Sequence, residues 1–225
     1  MTVNTFFDKV YCLNLDRRND RWQNSQELFA KHNLQVERFP ATDWQDIFPG
    51  TAYEQRYRAN VAHLTGFVRF FKKVIAEGTG NVLLLEDDIE VPENFTELFN
   101  EYIEQVPGDW GMLYLGGNHS EGIVVATEGA NVFRCHNTLA THAIGYRKEA
   151  FEYILYNLEY HLTRIMEMQP PQMYTRVVGS DVWLALLQQA VPTYTFNPAL
   201  VWQRADYSDI EMTFTDSRHL LQYKL

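Results

Sequence analysis

Short apolar segments alternate with amphipathic segments along the 225-residue chain, and this alternation limits its possible folds more than its composition does. The apolar segments have the length and the Val, Leu, Ile, Tyr and Phe content of strands. The amphipathic segments carry apolar residues at the spacing of a helix. Strands that alternate with helices favour a sheet covered by helices. We therefore predict an α/β sandwich.

The predicted elements follow one another over the first 198 residues, and the chain length suits a single domain that covers residues 1–225. The predicted strands cover residues 9–15, 35–41, 81–86, 111–117, 132–136, 141–146 and 193–198. The predicted helices cover residues 16–33 with their leading loop, 61–78, 92–106, 148–162 and 179–190. Residues 42–60 are predicted to form a loop, and residues 199–225 an irregular tail.

The formal net charge of −10 argues against general nucleic-acid binding, which depends on clustered Lys and Arg. A few local basic side chains can still attract an anionic ligand to one cleft. Two distant cysteines, Cys12 and Cys135, do not make a disulfide framework, which favours a reducing compartment. The first residues lack a signal-peptide pattern, and no apolar run approaches the length of a membrane span. We expect a soluble, cytoplasmic protein, and peripheral contact with a membrane stays open.

Three consecutive carboxylates, Glu86, Asp87 and Asp88, follow an apolar, strand-like run that begins at Val82. Side chains alternate between the two faces of a strand, so Glu86 shares a face with Val82 while Asp87 lies on the opposite face. Asp88 lies just beyond the strand, where the chain turns. We predict that Glu86 and Asp88 face a cleft, and that Asp87 points away and makes a structural hydrogen bond.

This acidic triplet lies where open α/β sheets bind ligands, outside the carboxyl end of a strand. Neighbouring carboxylates suit a hard divalent cation such as Mg²⁺ or Mn²⁺, which usually binds one or two of them together with water and substrate phosphates. Such a cation offsets the repulsion and can stabilise a departing phosphate oxygen. The alternative is a solvated acidic turn that caps the helix beginning near Pro92. The apolar run before the triplet favours the ligand site.

Another carboxylate, Asp181, lies at the start of the amphipathic helix predicted over residues 179–190. An Asp at this position can simply cap the helix. It can also act as a general base that is directed from the helix start toward a substrate hydroxyl group. The helix dipole favours the ionised carboxylate in either role.

Basic side chains follow the first predicted strand, at Arg17, Arg18 and Arg21. Guanidinium groups bind phosphate oxygens with favourable geometry, so this loop is a candidate diphosphate site, and the alternative is a solvated basic helix start. The glycine patterns of the common phosphate-binding loops are absent from the sequence. Two histidines within apolar segments, His63 and His142, are each interpreted first as hydrogen-bonded core residues and second as ligands.

Taken in order, several of these segments resemble glycosyltransferase family 25, which includes lipopolysaccharide-biosynthesis and collagen galactosyltransferases. The resemblance covers about residues 9–210. The segments that carry it are VYCLNLDRRNDRW, RFPATDW, NVAHLTGFVRFFKKV, LLLEDDIEV, DWGMLYLGG, THAIGYRKEAFEYIL, VGSDVWLALL and PALVWQRADYSDI. The chain departs from the family pattern at Trp44, where Gly is usual, and at Ala62, where Ser is usual.

The resemblance implies a GT-A-like, Rossmann-type α/β/α sandwich with a mixed central sheet. It also implies a nucleotide-sugar donor, a glycan or glycolipid acceptor and a divalent metal, usually Mn²⁺, with Mg²⁺ as the other possibility. Galactose or glucose is the expected sugar, UDP the expected nucleotide and inversion the expected outcome.

The resemblance also implies roles for individual residues. Asp88 is the expected direct metal ligand, with Glu86 as a contact to the metal or the donor, and Asp181 is the expected base. The side chains expected to bind the nucleotide or its diphosphate are Asn14, Arg17, Arg21, His63, Glu86 and Asp87.

Two other functions stay open at this point. Another metal-dependent enzyme that acts on phosphoanhydrides, such as a nucleotidyltransferase, would share the carboxylates, although it should also carry a glycine-rich, lysine-containing phosphate loop that the sequence lacks. A carbohydrate-binding or assembly protein with an inactive site is the other alternative. The presence of Glu86, Asp88 and Asp181 argues against lost activity.

Overall fold

The computed structural model of the protein describes residues 1–51, 53–119, 122–168 and 179–216. Strands and helices alternate in it as the sequence predicts. The helices are α1 Val3–Phe6, α2 Asn19–Lys31, α3 Gln55–Ala76, α4 Phe95–Ile103, α5 Phe151–Met168 and α6 Ser180–Leu187. The strands are β1 Lys9–Asn14, β2 Val36–Pro40, β3 Val82–Glu86, β4 Ile89–Glu90, β5 Met112–Tyr114, β6 Ile123–Ala126, β7 Val132–His136, β8 Ala143–Tyr146, β9 Thr193–Phe196, β10 Trp202–Gln203, β11 Asp206–Ser208 and β12 Thr213–Thr215.

Eight of these strands form one mixed sheet in the order β2-β1-β3-β8-β5-β9-β7-β6. β1 is parallel to both β2 and β3, and β5 is parallel to β9. β8 lies antiparallel between β3 and β5, and β7 and β6 complete the other edge with antiparallel pairs. The predicted α/β fold with a mixed central sheet is therefore confirmed.

Helices cover both faces of this sheet because its central strands are apolar on both sides. Val82 and Leu84 of β3 join the core on the face covered by α3, α5 and α6. Leu83 and Leu85 join the core on the face covered by α1, α2 and α4. The period of two in the sequence therefore places the side chains of β3 correctly. In the described ranges, no helix is both long and apolar enough to cross a bilayer.

The prediction of a loop over residues 42–60 is wrong at its end, because α3 already begins at Gln55. Tyr57 lies four residues before Val61, so the two side chains share one face of the helix, and both are buried in the same core. This apolar contact extends the helix toward the N-terminus. Before it, a single 3-10 turn at Trp44–Asp46 begins with Asp43, whose side chain accepts a hydrogen bond from the backbone N–H of Gln45.

The prediction of an irregular tail is also wrong for residues 199–216, which we call the C-terminal segment. In this segment β10 pairs antiparallel with β4, so that Gln203 lies opposite Ile89. β11 and β12 then form a separate antiparallel pair. Strands of two and three residues are too short to show a periodic pattern, so the sequence does not reveal them. The predicted tail beyond residue 216 lies outside the described residues.

Candidate functional site

A cavity opens beside the carboxyl ends of β1 and β3. These parallel neighbours are in register, with Leu13 of β1 opposite Glu86 of β3, so the residues that follow both strands meet at one edge of the sheet. Glu86, Asp87 and Asp88 all line the cavity, together with Arg17 and other side chains. The position of the predicted ligand site thus follows directly from the parallel pairing.

Asp87 is buried and holds the loop after β1 in place. Its Oδ2 accepts a hydrogen bond from Asn14 Nδ2 at 2.6 Å, and its Oδ1 accepts one from Arg21 Nη1 at 3.0 Å. Ser25 of α2 donates to the backbone oxygen of Asp87 at 3.0 Å. Burial raises the pKa of Asp87, while the charge of Arg21 and the Asn14 hydrogen bond oppose that rise.

These contacts agree with the predicted structural hydrogen bond of Asp87, but the prediction that Asp87 points away from the cleft is wrong. The chain turns directly after β3, so the strand alternation does not extend to residue 87, and Asp87 lines the cavity. Asn14, which the resemblance places on the nucleotide, is 1% exposed and orients Asp87 instead of lining the cavity.

Asp88 is the carboxylate with unused bonding capacity. Its Oδ2 accepts a hydrogen bond from Arg21 Nη1 at 3.1 Å. Its Oδ1 is buried and has no hydrogen-bond partner among the described residues. Burial and the neighbouring charge of Glu86 raise the pKa of Asp88 to about 7, against the opposing charge of Arg21. A buried carboxylate oxygen without a partner is costly, and a cation is one way to remove that cost.

Glu86 has the opposite environment, because several donors surround its carboxylate. Thr141 Oγ1 donates to Oε1 at 2.5 Å, Gln203 Nε2 donates to Oε2 at 3.3 Å, and His63 Nε2 lies 3.6 Å from Oε1. Burial alone would raise the pKa of Glu86, but the contact with His63 and the Thr141 hydrogen bond lower it to about 2. Glu86 is therefore ionised at neutral pH.

The two histidines differ. His142 is 5% exposed and donates from Nε2 to the backbone oxygen of Val201 at 3.1 Å, so its interpretation as a hydrogen-bonded core residue is confirmed. His63 lines the cavity and faces Glu86, and its role in binding the donor stays a prediction.

The fit to a divalent cation rests on Asp88. Across residues 1–51, 53–119, 122–168 and 179–216, no group of three or more His, Cys, Asp or Glu side chains is arranged to hold a metal ion. Mg²⁺ and Mn²⁺ are commonly bound by one or two protein carboxylates and by substrate phosphates, so such a group is not required. The unpartnered Asp88 Oδ1, with Glu86 beside it, fits this pattern. The metal itself stays a prediction.

Arg17 and Arg18 lie in the loop after β1 and are paired with carboxylates. Arg17 Nε donates to Asp43 Oδ2 at 2.7 Å, and its Nη1 donates to Asp209 Oδ1 at 2.9 Å. Arg18 Nη1 donates to the other oxygen of Asp209 at 2.7 Å. The Arg18 side chain is 16% exposed, so the alternative of a solvated basic helix start does not describe it.

Arg21 lies deeper and is 7% exposed. Besides Asp87 and Asp88, it contacts the C-terminal segment: Nη2 donates to the backbone oxygen of Tyr207 at 2.7 Å, and Nε lies 3.2 Å from Asp206 Oδ2. Arg21 therefore joins the sheet edge to the C-terminal segment.

Asp181 lies in the first turn of α6 and does not cap that helix, whose N-cap residue is Gly179. Its Oδ1 accepts a hydrogen bond from the backbone N–H of Val182 at 2.9 Å, and its Oδ2 accepts one from Ala140 at 3.4 Å. Ala140 precedes Thr141, which donates to Glu86. Asp181 is thus near the same end of the sheet, but it is not one of the residues that line the cavity.

Sequence reasoning missed the contributions of the C-terminal segment and of Thr141, which lies two residues before β8. Gln203, Ser208, Asp209 and Ile210 line the cavity, and Thr141 binds Glu86. The only signal for the first four is the closing segment PALVWQRADYSDI of the family resemblance, which contains them.

Comparison with known proteins adds names to this geometry. No protein-family model matches the chain. A glycosyltransferase 25 family member of Drosophila pseudoobscura pseudoobscura is 26% identical over 127 residues, which cover 48% of this chain and 20% of the fly protein. A protein of Acanthamoeba polyphaga mimivirus, provisionally named a glycosyltransferase, is 22% identical over 222 residues, which cover 94% of this chain and 67% of the viral protein. The predicted resemblance to glycosyltransferase family 25 is confirmed.

The names of both relatives indicate a glycosyltransferase. The chain spans 20% of the fly relative's length and 67% of the viral relative's length. A solved glycosyltransferase involved in glycosylation of the major capsid of PBCV-1 is similar over 94% of this chain and 97% of its own, at 12% identity and a TM-score of 0.49. A TM-score this low supports no inference about function.

Proposed function

We propose that this chain is a metal-dependent glycosyltransferase. It transfers a hexose, galactose or glucose, from a UDP-sugar to a hydroxyl group of a glycan or a lipopolysaccharide-type acceptor. The observation that carries the proposal is the buried Oδ1 of Asp88, which has no hydrogen-bond partner among the described residues and lies in a cavity that Arg17 also lines. An anionic oxygen without a partner beside guanidinium groups suits a ligand that brings both a cation and phosphates.

The loop after β1 carries Arg17 and Arg18, and we call it the arginine loop. In this proposal the donor diphosphate binds between the arginine loop and Asp88. Arg17 and Arg18 bind its phosphate oxygens, because a planar guanidinium group can donate two parallel hydrogen bonds to a phosphate. Asp88, with Glu86 beside it, holds Mn²⁺ or Mg²⁺. When bound, the cation stabilises the negative charge that develops on the departing nucleoside diphosphate.

Asp181 is the proposed general base. It takes the proton from the acceptor hydroxyl group, whose oxygen attacks the anomeric carbon while the bond from that carbon to the diphosphate oxygen breaks. Attack opposite the leaving group inverts the configuration at that carbon. Among the described residues, the carboxylate of Asp181 accepts hydrogen bonds from the backbone N–H groups of Val182 and Ala140, and an acceptor can compete for the second and longer of them. A cytoplasmic location, with peripheral membrane contact for a glycolipid acceptor, is part of the same proposal.

The test is binding of UDP- and GDP-sugars in the presence of Mn²⁺, measured as a shift in melting temperature. A ligand that binds only the folded state raises its stability by mass action. At least one nucleotide sugar should raise the melting temperature of the wild type. Asp88→Ala should lose the part of that shift that depends on Mn²⁺. Asp181→Asn should keep the shift but lower the rate of transfer by about 10²–10⁴-fold, the usual contribution of a general base.

A matched control is Glu101→Gln, which removes one exposed negative charge from α4. This helix covers the face of the sheet opposite α3. It should leave both the shift and the transfer rate unchanged. The absence of a shift with every UDP- and GDP-sugar would contradict the proposed function. Full activity of Asp181→Asn would contradict only the assignment of the base.

A further inference from the structure

The carboxylate of Asp209 binds two arginines of the loop after β1. Its Oδ1 accepts from Arg17 Nη1 at 2.9 Å and its Oδ2 accepts from Arg18 Nη1 at 2.7 Å, so each oxygen binds a different guanidinium group. Two oxygens that bridge two guanidinium groups reproduce the way a phosphate binds such a pair. Asp209 and Arg17 both line the cavity.

The negative charges around these arginines disfavour the binding of an additional anion. Arg17, Arg18 and Arg21 lie within 4.0 Å of six carboxylates. Those carboxylates are Asp20, Asp43, Asp87, Asp88, Asp206 and Asp209. A diphosphate adds further negative charge to a site where carboxylates already outnumber guanidinium groups. Its binding is therefore favoured if a cation joins the site, if a carboxylate leaves it, or if both occur.

Among the carboxylates bound to Arg17 and Arg18, that of Asp209 belongs to an element outside the central sheet. Asp43 is fixed by the backbone N–H of Gln45 at the start of the 3-10 turn, and the Asp20 side chain is 63% exposed on α2. Asp209 instead follows β11, which pairs with β12 outside the central sheet.

The β11–β12 hairpin buries little apolar surface. Phe214 is 66% exposed, and Tyr207 is 46% exposed. An element with few buried apolar contacts opens at low free-energy cost, and the contacts that oppose opening of this hairpin are polar, including those of Arg21 with Tyr207 and Asp206.

We propose that Asp209 is an internal competitor for the donor diphosphate. Its carboxylate occupies Arg17 and Arg18 until a diphosphate displaces it, and the β11–β12 hairpin then moves away from the arginine loop. This inference rests on the proposed function, because it assumes that the cavity binds a nucleoside diphosphate. Its consequence is selectivity, because a ligand must carry enough negative charge to displace the carboxylate of Asp209. A nucleoside without phosphates therefore gains no affinity from Arg17 and Arg18.

The experiment measures the affinity of the full chain for UDP, GDP and uridine by isothermal titration calorimetry with Mn²⁺ present. Asp209→Asn keeps the size of the side chain and removes its charge. It should bind the preferred nucleoside diphosphate about 10-fold more tightly than the wild type, a change of about 1.4 kcal/mol. The affinity for uridine should stay the same. A weaker affinity of Asp209→Asn for the diphosphate would overturn the inference, because it would show that Asp209 positions the arginines for the ligand.

Hydrogen exchange of the amides of residues 206–215 tests whether the β11–β12 hairpin is displaced. A change in charge without movement of the hairpin would not alter this exchange. Added diphosphate should speed exchange in the wild-type hairpin, and Asp209→Asn should already exchange faster without ligand. The matched control is Asp43→Asn, which removes a charge from the same Arg17 but not from the hairpin. Its hairpin should exchange at the wild-type rate without ligand.

The outcomes of both measurements distinguish the two proposals. A wild type that binds neither UDP nor GDP overturns the proposed function together with this inference. A wild type that binds one of them, with an affinity that Asp209→Asn does not increase, overturns this inference alone. Slower hairpin exchange on addition of the diphosphate also overturns it, because the hairpin would then close on the ligand instead of leaving.

Discussion

The two walls of the cavity are built by different means. On the sheet wall, Asp87, Asp88 and Arg21 are each less than 10% exposed, and the carboxylates directly follow a central strand. On the wall formed by the C-terminal segment, Gln203 and Asp209 are only partly buried and belong to or follow strands of two and three residues. The sheet therefore fixes the first wall, whereas ion pairs hold much of the second.

The two walls therefore differ in stability and in how easily they can move. Desolvated ion pairs are costly to break on one side only, because the remaining charge is left buried. Partly exposed ion pairs contribute about 0–1 kcal/mol each and exchange readily with other ions. A binding site gains from both properties, since the sheet wall keeps its geometry while the C-terminal segment can yield to a ligand.

The largest effect on folding is expected from Arg21→Met, which removes the guanidinium group shared by Asp87 and Asp88. Two buried carboxylates then lose their nearest cation, and we expect the free energy of unfolding to fall by about 3–5 kcal/mol. Equilibrium unfolding in urea measures the change. Arg21→Lys keeps the positive charge but not the planar guanidinium group, and its free energy of unfolding should fall by less.

The matched control for Arg21 is Arg164→Met, which removes the exposed member of an ion pair at 3.8 Å on the surface of α5. Its free energy of unfolding should change by less than about 0.5 kcal/mol. If Arg21→Met were no more destabilising than this control, the buried ion pairs would not stabilise the sheet wall.

A smaller loss is expected from Gly116→Ala, which disturbs the contact between the chain after β5 and the C-terminal segment. A Cβ atom at this position would lie 1.9 Å from the backbone oxygen of Val201, at the start of the C-terminal segment. The backbone must separate there, and we expect a loss of about 2–3 kcal/mol in the free energy of unfolding. The amides of Leu200 and Val201, which donate to Leu115, should also exchange faster with solvent.

Gly108→Ala is the control for this change, because a Cβ atom at residue 108 meets no other atom within 4 Å. It should leave both the free energy of unfolding and the exchange of the C-terminal segment nearly unchanged. Equal effects of the two alanine substitutions would show that the close approach of Gly116 to Val201 does not fasten the segment.

The sheet wall could be predicted from the sequence because local rules determine it. The alternation in β3 places Leu84 and Leu85 on opposite faces, and the rule that ligands bind beyond the strand ends locates Glu86 and Asp88. The rule fails one residue later at Asp87, because alternation holds only within a strand and β3 ends at Glu86.

The C-terminal wall could not be predicted in the same way because long-range contacts create it. Gln203 reaches Glu86 across 117 residues of sequence, and Asp209 reaches Arg17 across 192. Neither contact leaves a periodic pattern in the sequence, and ion pairs between distant residues follow from the tertiary fold alone. The pairing of Asp209 with Arg17 and Arg18 therefore follows from the tertiary fold and not from a local sequence rule.

The smallest effect on folding, and an effect of opposite sign, is expected from Gly66→Ala. Gly66 lies inside α3 and lines the cavity. A Cβ atom there would lie 3.9 Å from Leu13 Cδ1 and 4.0 Å from the backbone nitrogen of Thr42, so it fits without strain. Alanine should raise the free energy of unfolding by about 0.5–1 kcal/mol, because glycine disfavours the interior of a helix.

The same methyl group should weaken the binding of the nucleoside diphosphate, because it enters the space that we assign to that ligand. Urea unfolding and calorimetry on one protein preparation therefore measure two effects of opposite direction. Hydrogen exchange of the β11–β12 hairpin should stay at the wild-type rate, since Gly66 lies in α3 and not in the C-terminal segment. If Gly66→Ala bound the diphosphate as tightly as the wild type, the ligand would not occupy the part of the cavity between α3 and β1.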